Sequence, residues 1–283
     1  MNYGGPDLPN ATLEKARFVV VPIPYDLTTS YQSGTRRGPS AIIDASSYME
    51  LYDEELQQET YLCGIHTEEP VEADSRGPEK MTKRIRGRIA RILARNKIPV
   101  VLGGEHSVTI GVVQAMKEKY PDISVLQFDA HADLRDAYQG SPYSHACAAR
   151  RIWELCPLTQ MGIRSMSAED AAFIKKNKIN SFPADFVHEA DWLKKVTKYL
   201  TKDVYVTIDL DALDPSIMPA TGTPEPGGMS WRNLLSVVRE VAKKHRIRGF
   251  DVVELSPIPG LVAPDFLASK LVYRIMGYMT APK

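Results

Sequence analysis

The sequence predicts an α/β fold, a single domain with a central, mostly parallel sheet flanked by helices on both faces. Three observations predict it. Short apolar runs rich in Val and Ile recur along the chain, longer amphipathic stretches separate them, and no repeat, low-complexity segment or linker divides the 283 residues. Strand followed by helix, repeated, yields parallel strands that are covered on both sides and are therefore apolar throughout. With 43% hydrophobic residues the chain can bury a substantial core, and its length lies within the range of one α/β domain.

Taken in order, RFVVVPIP (17–24), IPVVLGG (98–104), ISVLQFD (123–129), DVYVTID (203–209) and IRGFDVVEL (247–255) read as buried strands. Between the first two, EKMTKRIRGRIARILARN (79–96) places Ile85, Ile89, Ile92 and Leu93 on one helical face, with a basic and solvated face opposite. Ser167 before AEDAAFIKK and Ser230 before WRNLLSVVREVAKK are N-cap residues, and Asp170 completes a capping box with the first. The Pro/Gly-rich segment SIMPATGTPEPGG (216–228) follows a strand and reads as an active-site loop.

Charge narrows the function. Lys plus Arg and Asp plus Glu each total 35, so no global field argues for a nucleic-acid or membrane partner. Three cysteines, Cys63, Cys147 and Cys156, are odd in number and lack a C-x-x-C pair, which fits a reducing compartment. The first residues have neither the apolar core nor the basic leader of a signal peptide, and no apolar run approaches a membrane span. A cytoplasmic location is the expectation.

Three of the strands run into ionisable residues. VVLGGEHS brings His106 to the start of a helix, SVLQFDAHAD supplies Asp129, His131 and Asp133, and VTIDLDALDP supplies Asp209 and Asp211. If the strands continue, alternate residues share a face, so each group projects one way at roughly 7 Å per pair. Ionisable groups beside Val125, Leu126 and Phe128 are costly to bury unless something cationic neutralises them. Parallel sheets bind ligands beyond the carboxyl ends of their strands, so the three ends can meet in one crevice. Four carboxylates and two neutral imidazoles balance two divalent cations. An oxygen-rich set with two imidazoles and no thiolate suits Mn²⁺ better than a closed zinc site. Two such ions roughly 3.5 to 4 Å apart hold a shared water and lower its pKa toward about 7.

GGEHS, FDAHAD and IDLDALDP, in this order, resemble the signatures of the ureohydrolase family, which includes arginase and agmatinase. PYDLTTSYQSGTRRGPSAI (24–42), YSHA (143–146), GTPEPGG (222–228) and VVELSP (252–257) extend the resemblance from about Phe18 onward, leaving residues 1–17 as an N-terminal extension of the one domain. It implies an arginase-like fold, two Mn²⁺ per subunit, hydrolysis of a guanidino group to urea, and a homotrimer or homohexamer. It makes the six residues above the metal ligands, with His106 and Asp133 serving one ion, His131 the other, and Asp129, Asp209 and Asp211 bridging or shared. It also makes His145 the residue that protonates the leaving amine, Asp133 a proton relay and Glu254 the carboxylate that meets the guanidinium. Thr223 and Glu225 match the substrate loop.

Substrate choice is expected in LRDAYQGSPYSHA (134–146). The loop has no asparagine, whereas arginases carry there an Asn- and Ser-bearing pattern for the carboxylate and amine of arginine. The resemblance is to agmatinases, including those acting on aminopropylagmatine, with Asp136 and Tyr143 meeting the far end of a small cationic guanidino substrate. Agmatine stands first, giving putrescine and urea, with aminopropylagmatine or guanidinobutyrate second and arginine third. Arg135 favours guanidinobutyrate, although a loop salt bridge to Asp136 is its simpler reading. Two other readings stand beside these: a catalytically silent metal-binding relative, and a Cys-nucleophile enzyme using Cys147, which leaves six metal ligands unexplained.

Overall fold

Alternation along the apolar runs sets the architecture. The computed structural model describes residues 1–281. Its strands are β1 (Phe18–Ile23), β2 (Tyr52–Asp53), β3 (Gln58–Glu59), β4 (Ile65–Thr67), β5 (Ile98–Gly103), β6 (Ser124–Phe128), β7 (Leu158–Met161), β8 (Asn180–Phe182), β9 (Asp203–Asp209) and β10 (Arg246–Val253). Along β1, Phe18 and Val20 enter one core while Val19 and Val21 enter the other. The same division runs through β5, where Val100 and Leu102 face away from Val101.

Eight strands form one sheet in the order β4-β1-β5-β10-β9-β6-β7-β8, and every neighbouring pair is parallel. β2 and β3 make a separate antiparallel hairpin. The helices are α1 (Gly38–Ser46), α2 (Pro78–Ala94), α3 (Val108–Lys119), α4 (Ala148–Trp153), α5 (Ala168–Asn177), α6 (Trp192–Thr197), α7 (Trp231–Lys244) and α8 (Ala263–Thr280). Buried residues of α1, α7 and α8 build the core on one face of the sheet, and those of α2, α3 and α4 the core on the other. Both faces are thus covered, which is why the central strands tolerate no polar alternation.

The predicted helix signals behave as their chemistry requires. Ile85, Ile89, Ile92 and Leu93 of α2 are all buried, each stabilising the fold by about 1.5–3 kcal/mol. The opposite face is solvated but paired, with Arg86 on Glu118 and Arg88 on Glu68. Ser167 and Asp170 form the reciprocal capping box of α5, and the Ser230 side chain accepts the Asn233 N–H at the start of α7. In SGTRRGPSAI the basic pair is structural, since Arg36 pairs with Asp26 and Pro39 opens α1. The N-terminal segment is packed on the domain: Tyr3 is fully buried and donates to the Ser269 carbonyl at 2.6 Å.

One glycine is indispensable to the site. A Cβ on Gly104 would stand 2.0 Å from the Tyr25 carbonyl oxygen, so only glycine lets the turn after β5 pass beneath the chain leaving β1. Gly104→Ala is expected to destabilise the protein by about 3 kcal/mol, the upper end for forcing atoms into a packed interior. Urea unfolding checks this by a lower midpoint at unchanged slope.

Candidate active site and metal centre

Four adjacent central strands, β5-β10-β9-β6, carry the ionisable residues at one end of the sheet. His106 lies just past β5, Asp129 follows β6, Asp209 ends β9 and Glu254 follows β10. β5 and β6 are successive in the sheet-forming chain yet lie apart, with β9 and β10 between them. A crevice opens at such a switch, beyond the strand ends.

The residues converge by bending rather than by the strand alternation expected from the sequence. β6 stops at Phe128, His131 makes an isolated bridge with Ser165, and Asp133 adopts φ +51°. Past Asp209 the chain turns through Leu210–Ala212, and the Asp209 carboxylate accepts the Asp211 N–H at 2.9 Å. The bends hold because carboxylates take up the backbone donors that a continuing ladder would have used. Ala130 N–H donates to Asp211 Oδ1 at 2.9 Å, and His131 N–H to Asp129 Oδ1 at 2.7 Å.

Asp129 faces both halves of the resulting cluster. Its Oδ2 lies 3.0 Å from His106 Nδ1 and its Oδ1 3.7 Å from His131 Nδ1. Asp133 and Asp209 stand 3.4 and 3.5 Å from His106 Nδ1, and Asp211 stands 2.9 Å from His131 Nδ1. Two ligand sets follow, His106–Asp129–Asp209 and Asp129–His131–Asp211, each with its donor atoms within 4.8 Å of one another. Five of the six predicted ligands make up the two sets, with Asp129 common to both, and the sixth, Asp133, stands beside them against His106.

The donor set fits metal ions on a specific observation. His106 Nδ1 is buried and, in spite of its carboxylate neighbours, makes no hydrogen bond. Its Nε2 lies 3.0 Å from Thr207 Oγ1, whose own proton is directed to Asp251 Oδ1 at 2.6 Å. The threonine oxygen therefore accepts from Nε2–H, so that Nδ1, among three carboxylates, is the nitrogen that could present a lone pair to a cation. Protonation of these groups reports the same crowding. Burial, then the charges of Asp133 and Asp211, push Asp129 up to about 7, and burial with Asp211 and Asp129 raises Asp209 well above the usual range. Burial opposes a charge on His131, yet the hydrogen bond to Asp211 and the charges of Asp211, Asp129 and Asp133 together outweigh it and lift the imidazole to about 10. Cations relieve this repulsion directly.

A cavity of about 280 Å³ opens onto the cluster, and His145, Glu254 and Thr223 line it beside His131 and Asp133. His145 sits on a short turn, and its N–H donates to Thr28 Oγ1 at 3.0 Å. Burial holds its imidazole below the ordinary value. Glu254 has φ +66°, and its Oε1 accepts the His106 N–H at 2.7 Å. Two non-glycine residues in left-handed backbone, Asp133 and Glu254, thus border the cavity. Such strain persists only where neighbouring contacts enforce it.

Two substrate-loop expectations need correction. Asp136 is exposed and pairs with Arg151 at 2.7 Å, an ion pair that holds its carboxyl below the ordinary value and turns it outside the cavity lining. Tyr143 is half-buried and likewise outside the lining, because the turn that presents His145 carries it away. Arg135 does line the cavity, with its guanidinium 5.1 Å from the Tyr138 ring centroid. Cys147 is buried, and burial pushes its thiol up to about 11, which suits a packing residue and not a nucleophile.

Glu105 and Arg164 contribute through contacts that only the folded chain shows, while Asp214, before Pro215, is the turn former its place in the sequence suggests. Glu105 is fully buried behind His106, and burial lifts it to about 7 against hydrogen bonds from Ser107 and Thr28. Arg164 reaches the carbonyls of Asp211 at 2.8 Å, Glu225 at 2.5 Å and Pro226 at 3.0 Å, clasping the 216–228 loop to the ligand turn. Asp214 ties the loop from below by accepting the N–H groups of Ser216, Gly227 and Gly228.

With this geometry in view, comparison with known proteins is decisive. A model of the arginase family matches residues 16–277. The chain belongs to the arginase family. It is 42% identical over 277 residues to an N(1)-aminopropylagmatine ureohydrolase of Thermus thermophilus, covering 97% of this chain and 93% of that protein. Against the agmatinase of Bacillus subtilis it is 35% identical over 87% of this chain and 85% of the relative. The crystal structure of a putative agmatinase from Clostridium difficile superimposes with a TM-score of 0.87 at 32% identity, covering 95% of this chain and 99% of that one. The protein is therefore a hydrolase of the ureohydrolase type, and its residue groups suit the binuclear metal site that this arginase fold suggests. No helix among the described residues is long and apolar enough to cross a membrane.

Asp214 gives a pH prediction. Hydrogen bonds from Ser216, then Gly228 and Gly227, lower its pKa to about 2, against roughly 3.9 in an unfolded chain. A depressed folded pKa contributes stability above the unfolded value and loses it as pH falls. The difference in melting temperature between wild type and Asp214→Asn is expected to be full above about pH 4 and to shrink toward pH 2. A difference that stays constant across that window refutes the assignment.

Proposed function

We propose that this protein is a binuclear metallohydrolase that removes the guanidino group of N(1)-aminopropylagmatine as urea, leaving the free polyamine. The observation carrying the reaction class is the meeting of both ligand sets, His145 and Glu254 at one cavity. The choice of substrate rests on relatives: those named for aminopropylagmatine share 35% to 42% of residues, against 32% to 35% for those named agmatinase. Agmatine, placed first on sequence alone, becomes the second reading, supported by that agmatinase and by the similar solved structure.

In this reading His106, Asp129, Asp133 and Asp209 hold one ion and Asp129, His131 and Asp211 the other, with Mn²⁺ suited to the mixed oxygen and imidazole donors. Two divalent ions bound there supply the Lewis acidity that makes a water nucleophilic near neutral pH. The residues of the chain do the rest. Glu254 accepts N–H bonds from the planar guanidinium and, with the acidic floor, orients the cation. Asp133 takes the proton that the attacking water sheds. After the new C–O bond has formed, His145 Nε2 gives a proton to the departing nitrogen as the C–N bond to the polyamine breaks, and the hydroxyl on carbon passes its own proton to solvent as it becomes the carbonyl, so that urea and a neutral amine leave. His145 suits that task because burial keeps its imidazole from holding the proton too tightly.

Urea release from aminopropylagmatine, agmatine, guanidinobutyrate and arginine, with Mn²⁺ supplied, is the deciding assay. We expect kcat/KM for aminopropylagmatine to exceed that for agmatine at least tenfold, about 1.4 kcal/mol of discrimination. The reverse order transfers the assignment to agmatine, and no urea from any of them leaves a silent metal-binding protein. His145→Ala is expected to lower kcat by about 10²–10⁴-fold, and Glu254→Ala to abolish guanidine turnover, both with metal content unchanged. Asp129→Ala is expected to lose metal and turnover together. Elemental analysis showing two ions per chain in Asp129→Ala would refute the ligand assignment.

A further inference from the structure

We propose that Glu105 and Thr28 act as positioning residues that keep a proton on His145 Nδ1, so that Nε2 is the nitrogen that exchanges a proton with substrate. The inference rests on the reading of His145 as the proton carrier and adds what decides its tautomer. Glu105 is fully buried beneath the cavity floor. Three donors converge on it: Thr28 N–H on Oε2 at 2.5 Å, Thr28 Oγ1 on Oε1 at 2.8 Å, and the Ser107 hydroxyl on Oε1.

A threonine hydroxyl has one proton, and here it is directed at the carboxylate. Toward every other neighbour Thr28 Oγ1 can only accept. It accepts the His145 backbone N–H at 3.0 Å, and the ring Nδ1 lies 3.3 Å from the same oxygen. A bare Nδ1 would set lone pair against lone pair, whereas Nδ1–H completes the chain. Ser144 Oγ, also 3.3 Å from Nδ1, can donate or accept and so does not choose. Nε2 is left facing Ser30 Oγ at 3.4 Å, and both Ser30 and His145 line the cavity.

The same device occurs a second time. Asp251 takes the Thr207 proton and Thr207 accepts from His106 Nε2, which bares His106 Nδ1 toward the ligand cluster. Each carboxylate–threonine pair therefore protects one imidazole nitrogen and exposes the other. In His145 the exposed nitrogen faces substrate, in His106 it faces the metal site. During turnover Nδ1 keeps its proton, while Nε2 gives one to the departing amine and is reprotonated afterwards.

Nitrogen-15 NMR of histidine-labelled protein, loaded with diamagnetic Zn²⁺ at alkaline pH and assigned with His145→Gln, reads the tautomer without any turnover. Nδ1–H is expected on His145 in wild type and in Thr28→Ser, with a change to Nε2–H in Thr28→Val. Nε2–H in wild type overturns the proposal even if Thr28→Val does not fold, and so does Nδ1–H persisting in a folded Thr28→Val. On the substrate identified by urea release, Thr28→Val is expected to lose about 10–100-fold in kcat with KM little changed, and Thr28→Ser to restore most of the loss. Full kcat in Thr28→Val overturns it as well. Absence of urea from every guanidino compound would instead remove the role of His145 while leaving the tautomer result intact.

Discussion

Repulsion among buried carboxylates governs this structure. Asp129, Asp209 and Asp211 are almost wholly inaccessible, Asp133 stands beside them, and Glu254 approaches from β10. At such distances like charges in a poorly polarisable interior disfavour one another strongly, and two imidazoles do not neutralise four or five negative groups. The fold tolerates the cluster because the three buried aspartates and Glu254 each accept local hydrogen bonds, such as Gln127 Nε2 on Asp129 Oδ2 at 2.7 Å. Those bonds orient the oxygens, and the negative field that remains favours cations at the cavity.

Sheet topology explains why the cluster forms at all. Each acidic turn is attached to a different strand, and the strands become neighbours only because β9 and β10 insert between β5 and β6. The inserted pair contributes Asp209 and Glu254 and also the buried Asp251, whose hydrogen bonds to Thr109, Thr207 and Tyr205 lock three elements behind His106. Catalytic geometry and core packing are thus the same set of contacts.

The sequence disclosed the parts of the molecule that are built from repetition. The five Val- and Ile-rich runs are strands, α2 shows its buried face by spacing alone, and the six ligand positions follow recognisable strand ends. It did not disclose β4, β7 or β8. LTQM and NSF are short and carry two adjacent polar residues each, and Gln160 is buried only because Gln127 and the Ala132 carbonyl are there to receive its amide. The turns at Asp133 and Leu210–Ala212 were hidden for a related reason, since alternation presumes a continuing ladder and nothing local announces where it breaks. Asp136 misled because a carboxylate near a loop histidine suggests a substrate contact, whereas Arg151, fifteen residues on, claims it. Thr28 and Glu105 lie within quoted motifs, yet the contacts of Thr28 with Glu105 and with His145 span 77 and 117 residues and exist only in the folded chain.

Arg164 has a consequence for how the cavity responds to its surroundings. Its guanidinium grips backbone carbonyls, which do not titrate. As long as Asp214 also keeps its charge, the doorway formed by the proline-rich loop holds its anchorage, whereas the basin below it contains groups that titrate near neutrality. Above about pH 4, changes in proton concentration therefore act on the basin and leave the entrance as it is, so that admission and reaction are governed by separate variables.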